Sequence, residues 1–282
     1  MPGILYVVAT PIGNLEDVTL RALRILGEVS IIAAEDTRRT ARLLQHYSIS
    51  TRTTSLHEHN EHARAPALVA RLKSGESIAL VSDAGTPGLS DPGAQLVAAA
   101  HAAGVKVEPV PGPSAALALV SAAGFPTNEF LFAGFPPVRS KARKEWLASF
   151  SRLPYLLVVY EAPHRIQATL QDMVEAFGDR MAALGRELTK AHEELVIRPI
   201  HEHLRLLGEP RGEYVLVIDR HSEVANRTRE APDPSIVASV FGELTNNKGL
   251  GRREAIRELA GRFGVPSREV FDLLERAKRS VD

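Results

Sequence analysis

Three stretches of this sequence concentrate side chains suited to proton transfer or to holding phosphate. Glu35-Asp36-Thr37-Arg38-Arg39 sets two carboxylates and two guanidiniums at the end of an apolar run. Arginine grips phosphate through paired hydrogen bonds, and an acid beside it has its charge stabilised. A purely structural ion-pair cluster would have the same composition. Arg186-Glu187-Leu188-Thr189-Lys190-Ala191-His192-Glu193-Glu194 is as dense in titratable groups. Lys190 is the member best able to act, because a partly desolvated lysine can lose or share its proton. The third stretch, Ser82-Asp83-Ala84-Gly85-Thr86-Pro87-Gly88-Leu89-Ser90-Asp91-Pro92-Gly93, is a loop. Its prolines fix φ and its glycines let backbone pass close to a bound molecule.

These stretches need elements to hold them. Ile78 to Val81 reads as a buried strand before the long loop, and the apolar segment Ala94 to Ala103 reads as a helix after it. Ile4 to Ala9 ends in Thr10-Pro11-Ile12-Gly13-Asn14, Ile31 to Ala34 in the acid–arginine cluster, and Val107 to Val110 in Pro111-Gly112-Pro113-Ser114-Ala115. Asp17 and Thr19 look like helix-start residues, as does Asp36 or Thr37, and a helix is expected over about Glu61 to Lys73. Four strand-plus-loop units separated by helices predict a mostly parallel α/β domain, whose ligand sits at the carboxyl ends of the strands. After Gly124-Phe125-Pro126-Thr127 further strands are expected near 130–133, 155–160, 181–185, 194–198 and 214–219, in a more mixed sheet. The sequence thus divides into an α/β domain over 1–122, a second over 123–221, a linker over 222–234 and an all-helical extension over 235–282. Residues 258–270 in that extension have helix-turn-helix spacing, equally suited to packing and to nucleic-acid contact.

Composition excludes several classes. Lys plus Arg and Asp plus Glu both number 34, so the chain is no basic nucleic-acid coat and any such contact must be local. There is no cysteine, hence no disulfide, thiolate catalysis or Cys-ligated zinc. Neither a charged leader nor a membrane-length apolar run is present, so a cytoplasmic location without membrane contact is expected. G-x-G-x-x-G after a strand and G-x-x-x-x-G-K-[ST] are both missing. His57-Glu58-His59-Asn60-Glu61 fails H-E-x-x-H, and no metal is expected. Arg139, Lys141, Arg143 and Lys144 place four cations in six residues after Pro136-Pro137. They read as a solvated face or a flexible basic loop that could hold phosphodiester backbone. Trp146 and Phe150 beyond them read as core rather than base-stacking platforms.

Taken in order, Leu5 to Asp17, Glu35-Asp36-Thr37-Arg38, His57 to Glu61, Ser82 to Gly93, Pro111 to Ala115, Glu161-Ala162-Pro163-His164-Arg165, Glu187-Leu188-Thr189-Lys190 and Gly212-Glu213-Tyr214 form a recognisable set. It resembles the class III S-adenosylmethionine-dependent methyltransferases of the tetrapyrrole-methylase superfamily, in the branch that modifies small-subunit ribosomal RNA. Corrin-methylating relatives carry a Gly-Asp-Pro-type loop where this chain has Asp83-Ala84-Gly85-Thr86-Pro87. The resemblance implies two α/β domains with S-adenosylmethionine in the cleft between them, and a homodimer. It implies 2′-O-methylation of a cytidine in the decoding region of small-subunit ribosomal RNA, within the small subunit. Carried over by position, the cofactor meets Pro11, Ile12, Asp83, Gly85, Thr86, Pro87, Ser114 and Ala115, with Glu161, Ala162, Leu188 and Gly212 from the second domain. For the reaction, Lys190 or Asp36 is expected to lower the cost of removing the hydroxyl proton, with Glu187 and Glu193 second in rank. Arg38 is expected to hold the adjacent phosphate. Arg38, Arg39, Arg139, Lys141, Arg143 and Lys144 are the expected RNA contacts. Two rivals remain: a methylase of a small tetrapyrrole, and an RNA-binding assembly factor without turnover.

Overall fold

The structure, a computed structural model, describes residues 2–126, 128–220, 233–247, 250–263 and 267–279. Residues 1–220 form one compact unit and 221–282 a second. The first unit opens with β1 (Ile4–Val8), α1 (Leu20–Glu28), β2 (Ile31–Ala34), α2 (Thr37–His46) and β3 (Thr53–Ser55). It continues through α3 (Glu61–Lys73), β4 (Ile78–Val81), α4 (Ala94–Ala102), β5 (Lys106–Val110) and α5 (Ala115–Ala122). The five strands lie in the order β3-β2-β4-β1-β5, every pairing parallel.

A parallel sheet covered on both faces needs strands apolar on both faces, and β4 shows why these runs qualify. Its alternate residues Ala79 and Val81 pack with α1 and α2, while Ile78 and Leu80 pack with α3 and α4. Thr19 caps α1 by accepting a hydrogen bond from the Ala22 amide, and Asp36 caps α2 through the Arg38 amide. The fifth strand, β3, was not expected. Thr53-Thr54-Ser55 lacks an apolar run because it is an edge strand, pairing only with β2.

The second sheet is built from β6 (Phe130–Gly134), α6 (Ser140–Ser149), β7 (Leu156–Glu161), α7 (Ile166–Phe177) and β8 (Met181–Arg186). β9 (Glu194–Pro199), α8 (Ile200–Arg205) and β10 (Tyr214–Ile218) complete it. The order is β6-β7-β10-β8-β9, with β6 parallel to β7 and the remaining pairs antiparallel. A hairpin joins β8 to β9 through residues 187–193. Helix α5, counted with the first domain from sequence, packs on this second sheet: Ala116 and Leu119 sit against Val158, Ala183, Val215 and Val217. The other face is covered by α6, α7 and α8, around Leu147, Leu170, Ile200 and Leu216.

The second unit contains α9 (Pro234–Gly242), α10 (Arg252–Phe263) and α11 (Ser267–Arg279), packed around Val237, Leu259, Val270 and Leu273. Asp233 caps α9. Within the expected linker, residues 222–232 lie outside the described residues, and so does the turn of the helix-turn-helix spacing at 264–266. Among the described residues no helix is long and apolar enough to cross a membrane.

Candidate active site

A cleft of about 410 Å³ opens between the two sheets of the first unit. Its first wall is made where β1, β4 and β5 end. Thr10 and Gly85 exchange backbone hydrogen bonds of 2.8 and 3.0 Å, and the Thr10 hydroxyl donates to the Ser82 carbonyl at 3.2 Å. Gly85 has φ +75, and a Cβ there would stand 3.5 Å from Ile12 Cγ2, narrowing the space the two loops leave open. Of the residues for which the resemblance implied cofactor contact, Ile12, Gly85, Thr86, Ser114 and Ala115 line the cleft. Pro11, Asp83 and Pro87 lie in the same loops without being among its lining residues.

The opposite wall comes from the second sheet. Glu161, Ala162, Glu187, Leu188 and Lys190 line it. Glu161 is buried and accepts hydrogen bonds from the Thr169 hydroxyl at 2.5 Å and the Ala162 amide at 2.8 Å, with Arg165 at 3.2 Å. Lys190 Nζ reaches Glu187 Oε1 at 2.8 Å and Glu213 Oε2 at 3.0 Å. Burial alone would lower the Lys190 pKa, but the hydrogen bonds to the two carboxylates outweigh it and the net shift is upward. Its hydrogen bonds therefore favour the charged ammonium. Glu187 is pulled down from the usual carboxylate range, chiefly by the Lys190 hydrogen bond.

Gly212 acts on this network from behind rather than lining the cleft. At φ +75, a Cβ on it would lie 2.3 Å from Glu187 Cγ, so only glycine leaves Glu187 where it holds Lys190. The loop itself is strained: Glu187 and Thr189 both have positive φ, at 49 and 69. Such strain persists only when surroundings over-determine it. Here Gly13 supplies a clamp from the first wall, since a Cβ on it would be 2.5 Å from Lys190 Cγ, and the neighbouring Asn14 amide donates to the Thr189 hydroxyl at 3.0 Å.

The acid–arginine cluster lies beside the cleft, not in it. Asp36 binds Arg38 through both carboxylate oxygens, at 3.1 and 2.9 Å, and its hydrogen bonds from the Arg38 side chain and amide lower its pKa to about 2. A carboxylate so stabilised accepts a proton poorly. The Asp36 amide also donates to Asp83 Oδ1 at 2.9 Å, and Arg39 stands 3.5 Å from Asp83 Oδ2, so the ends of β2 and β4 are stitched together. Arg38 and Arg39 remain exposed.

The cation run after Pro136-Pro137 departs from the basic loop expected of it. Most of it is helical, within α6, and Arg143 falls four residues before the buried Leu147 on the inward face. Arg143 is buried and pairs with Asp172 at 2.7 Å, so its expected RNA contact is incorrect. Lys144 is exposed but tied to Glu175 at 2.6 Å and Asp172 at 3.7 Å, while Arg139 and Lys141 are exposed as well. Trp146 and Phe150 pack edge to face, partly buried against the core.

Several lining residues had no forecast from sequence. Leu89, Ser90 and Asp91 belong to the long loop and were passed over for its glycines and prolines. Phe135 and Tyr160 meet edge to face at 5.6 Å, and Glu213 follows Gly212. Phe135 sits in a Gly-Phe-Pro-Pro loop, the same strand-exit signature that marked the other site loops. Among the described residues no group of three or more His, Asp or Glu is placed to hold a metal ion.

Residues 4–203 match the family model described as Tetrapyrrole (Corrin/Porphyrin) Methylases. Ribosomal RNA small subunit methyltransferase I of Synechocystis sp. is 43% identical over 96% of this chain and 97% of its own length. The relatives of the same name in Mesorhizobium japonicum and Vibrio cholerae are 49% and 47% identical, covering 95% and 83% of this chain and 92% and 82% of theirs. Among solved structures, the methyltransferase CobJ superposes with a TM-score of 0.59 at 20% identity, over 77% of this chain and 94% of its own. Uroporphyrin-III C-methyl transferase from Thermus thermophilus, in complex with S-adenyl homocysteine, gives a TM-score of 0.54 at 20% identity, over 80% and 100%. These two establish the fold.

S-adenosylmethionine is the cofactor, and the cleft residues fit it. Ala84, Gly85, Ser114, Ala115 and Ala162 keep the walls low enough for backbone to approach a nucleoside. Sequence and fold agree over most of the first unit: the chain belongs to the tetrapyrrole methylase family, among the members named ribosomal RNA small subunit methyltransferase I.

Proposed function

We propose that this chain transfers a methyl group from S-adenosylmethionine to the 2′-hydroxyl of a cytidine in the decoding region of small-subunit ribosomal RNA, acting on the small subunit in the cytoplasm. The observation that supports this best is the cleft with its surroundings. Its volume of about 410 Å³ suits one cofactor with the reacting end of a nucleotide, and the exposed cations Arg38, Arg39, Arg139 and Lys141 lie in the segments beside it. Relatives that share most of this chain's length carry names that specify small-subunit ribosomal RNA.

The cofactor supplies an activated methyl group, so the protein's part is to position the acceptor and manage its proton. Holding the hydroxyl in line near 3 Å is worth roughly 7–11 kcal/mol. Lys190, fixed as a cation by Glu187 and Glu213, stabilises the oxyanion that develops on the ribose. Arg38, already oriented by Asp36, grips a neighbouring phosphate. A homodimer is part of the reading. Leu195 and Ile197 share one face of the β9 edge and are both exposed, which gives a second copy an apolar strip to cover.

The decisive experiment incubates the chain with methyl-labelled S-adenosylmethionine and undermodified small subunits, then maps the label by nucleotide and by sugar or base. Label on a cytidine ribose of the decoding region is the expected result. Label on uroporphyrinogen or a corrin in a parallel reaction, with none on RNA, would return the chain to small-molecule methylation.

A further inference from the structure

Methylating a ribose hydroxyl releases a proton, and the cleft presents four carboxylates that could receive it: Asp91, Glu161, Glu187 and Glu213. Three are already committed. Glu161 takes the Thr169 hydroxyl, the Ala162 amide and Arg165, while Glu187 and Glu213 share Lys190. Asp91 differs: among the described residues no cation stands within ion-pair distance of it. It faces the Ser82 hydroxyl and the carboxylates of Glu35 and Asp83 from the ends of β2 and β4, with Tyr160 from β7.

The backbone around Asp91 is held in a costly shape. Ser90 before it has φ +64, Pro92 follows, and Gly93 at φ +126 opens α4. The loop is clamped from both sides. A Cβ on Gly93 would stand 2.6 Å from Leu80 Cδ2, and one on Gly134 would stand 2.9 Å from the Ser90 hydroxyl oxygen. A non-glycine left-handed residue costs on the order of 1–3 kcal/mol, and here that strain fixes a half-buried, cation-free carboxylate at the cleft wall.

Resting on the function proposed above, we infer that Asp91 is the proton acceptor of the methyl transfer. A lone pair of the ribose oxygen forms the new O–CH3 bond as the C–S bond breaks, its electrons returning to sulfur. The hydroxyl proton passes to an Asp91 oxygen and from there to water after the methylated product leaves. The environment of Asp91 favours this role. Burial raises its pKa to about 6, Ser82 opposes that, and Glu35 and Asp83 add to it. It is ionised at neutral pH yet close enough to accept a proton efficiently, as general bases require.

The test compares the wild-type chain with Asp91→Asn and Asp91→Glu. S-adenosylmethionine affinity is measured by equilibrium dialysis, single-turnover transfer to undermodified small subunits from pH 5 to 8.5, and melting temperature at pH 5 and 7.5. Asp91→Asn is expected to keep cofactor affinity, lose about 10²- to 10⁴-fold in transfer rate, and lack the fall in rate that wild type shows below pH about 6. Asp91→Glu is expected to recover part of the rate. A raised carboxylate pKa penalises folding increasingly as pH climbs from the unfolded value of 3.8 to about 6. Asp91→Asn should therefore melt above wild type at pH 7.5, with a smaller gap at pH 5. A purely structural Asp91 would give the reverse, a variant that melts lower. Wild-type-like transfer by Asp91→Asn, an unchanged acid limb, or a rate loss matched by lost cofactor affinity would each overturn the inference while wild type still labels the subunit. Wild type that binds cofactor and leaves the subunit unlabelled would remove the function proposed above, and this inference with it.

Discussion

On the second-sheet wall of the cleft, Glu187 and Glu213 share the Lys190 ammonium at 2.8 and 3.0 Å; on the first-sheet wall, Asp91 faces Glu35 and Asp83 with no cation within ion-pair distance among the described residues. All are carboxylates, but Glu213 is exposed while Asp91 is half-buried, and the proton affinities of Glu187 and Asp91 move in opposite directions. Glu187 is pulled below the ordinary carboxylate range by its lysine, and Asp91 is pushed above it by burial and like charge. Matched charges make a rigid, permanently ionised device for stabilising another charge. An unmatched carboxylate makes a group that can change its charge during a reaction. One cleft thus divides fixed electrostatics from proton transfer between its two walls.

The comparison is tested most severely where matching is taken into the interior. Arg143 and Asp172 are both buried and meet at 2.7 Å, so Arg143→Ala leaves an uncompensated carboxylate. We expect it to cost about 3–5 kcal/mol in denaturant unfolding. Cofactor affinity of the folded fraction should be unchanged. A loss below about 1 kcal/mol would mean that pairing contributes little here. Next in size is Lys190→Ala, expected to lower single-turnover transfer by about 10²- to 10³-fold while cofactor affinity holds. Wild-type turnover would reduce Lys190 to a structural tie. A smaller effect separates the walls by pH. The lowered pKa of Glu187 contributes stability that is present above the unfolded carboxylate pKa and is lost as pH falls through the folded value. Glu187→Gln should therefore melt below wild type at pH 7, and the gap should close in acid, opposite in sign to Asp91→Asn. A gap that widened in acid would contradict the assignment.

Much of this architecture was readable from the sequence because strand exits announce themselves. The apolar runs before Thr10-Pro11, Glu35-Asp36, Ser82-Asp83 and Pro111-Gly112 are β1, β2, β4 and β5, and the loops after β1, β4 and β5 line the cleft. What could not be read depends on three-dimensional neighbours. The fate of Arg143 was set by Asp172, 29 residues away, and helical phase placed it inward while Arg139 and Lys141 faced water. The charge of Lys190 is held by Glu187, three residues away, and by Glu213, 23 residues away, and the Asp36 carboxylate is engaged in capping α2. Asp91 was hidden for a subtler reason. Its distinction is the lack of a cation, which no motif records.

The finest test of matched against unmatched charge concerns the exposed cations. Each one that neutralises a phosphate releases counterions, and contributes about 0.7 to 0.9 to the slope of log affinity against log salt. Arg38, Arg39, Arg139 and Lys141 are exposed, whereas Lys144 is committed to Glu175 and Asp172. Alanine at Arg139 and Lys141 together should flatten the salt slope for small-subunit RNA, while Lys144→Ala leaves it unchanged. Arg38→Ala should also flatten it, and less than a free arginine would, because the Asp36 carboxylate left behind repels the same phosphate. Removing Asp36 as well should then recover part of the affinity. A double variant no better than Arg38→Ala would mean that the Asp36–Arg38 pair does not face RNA, and the phosphate grip would pass to Arg139 and Lys141.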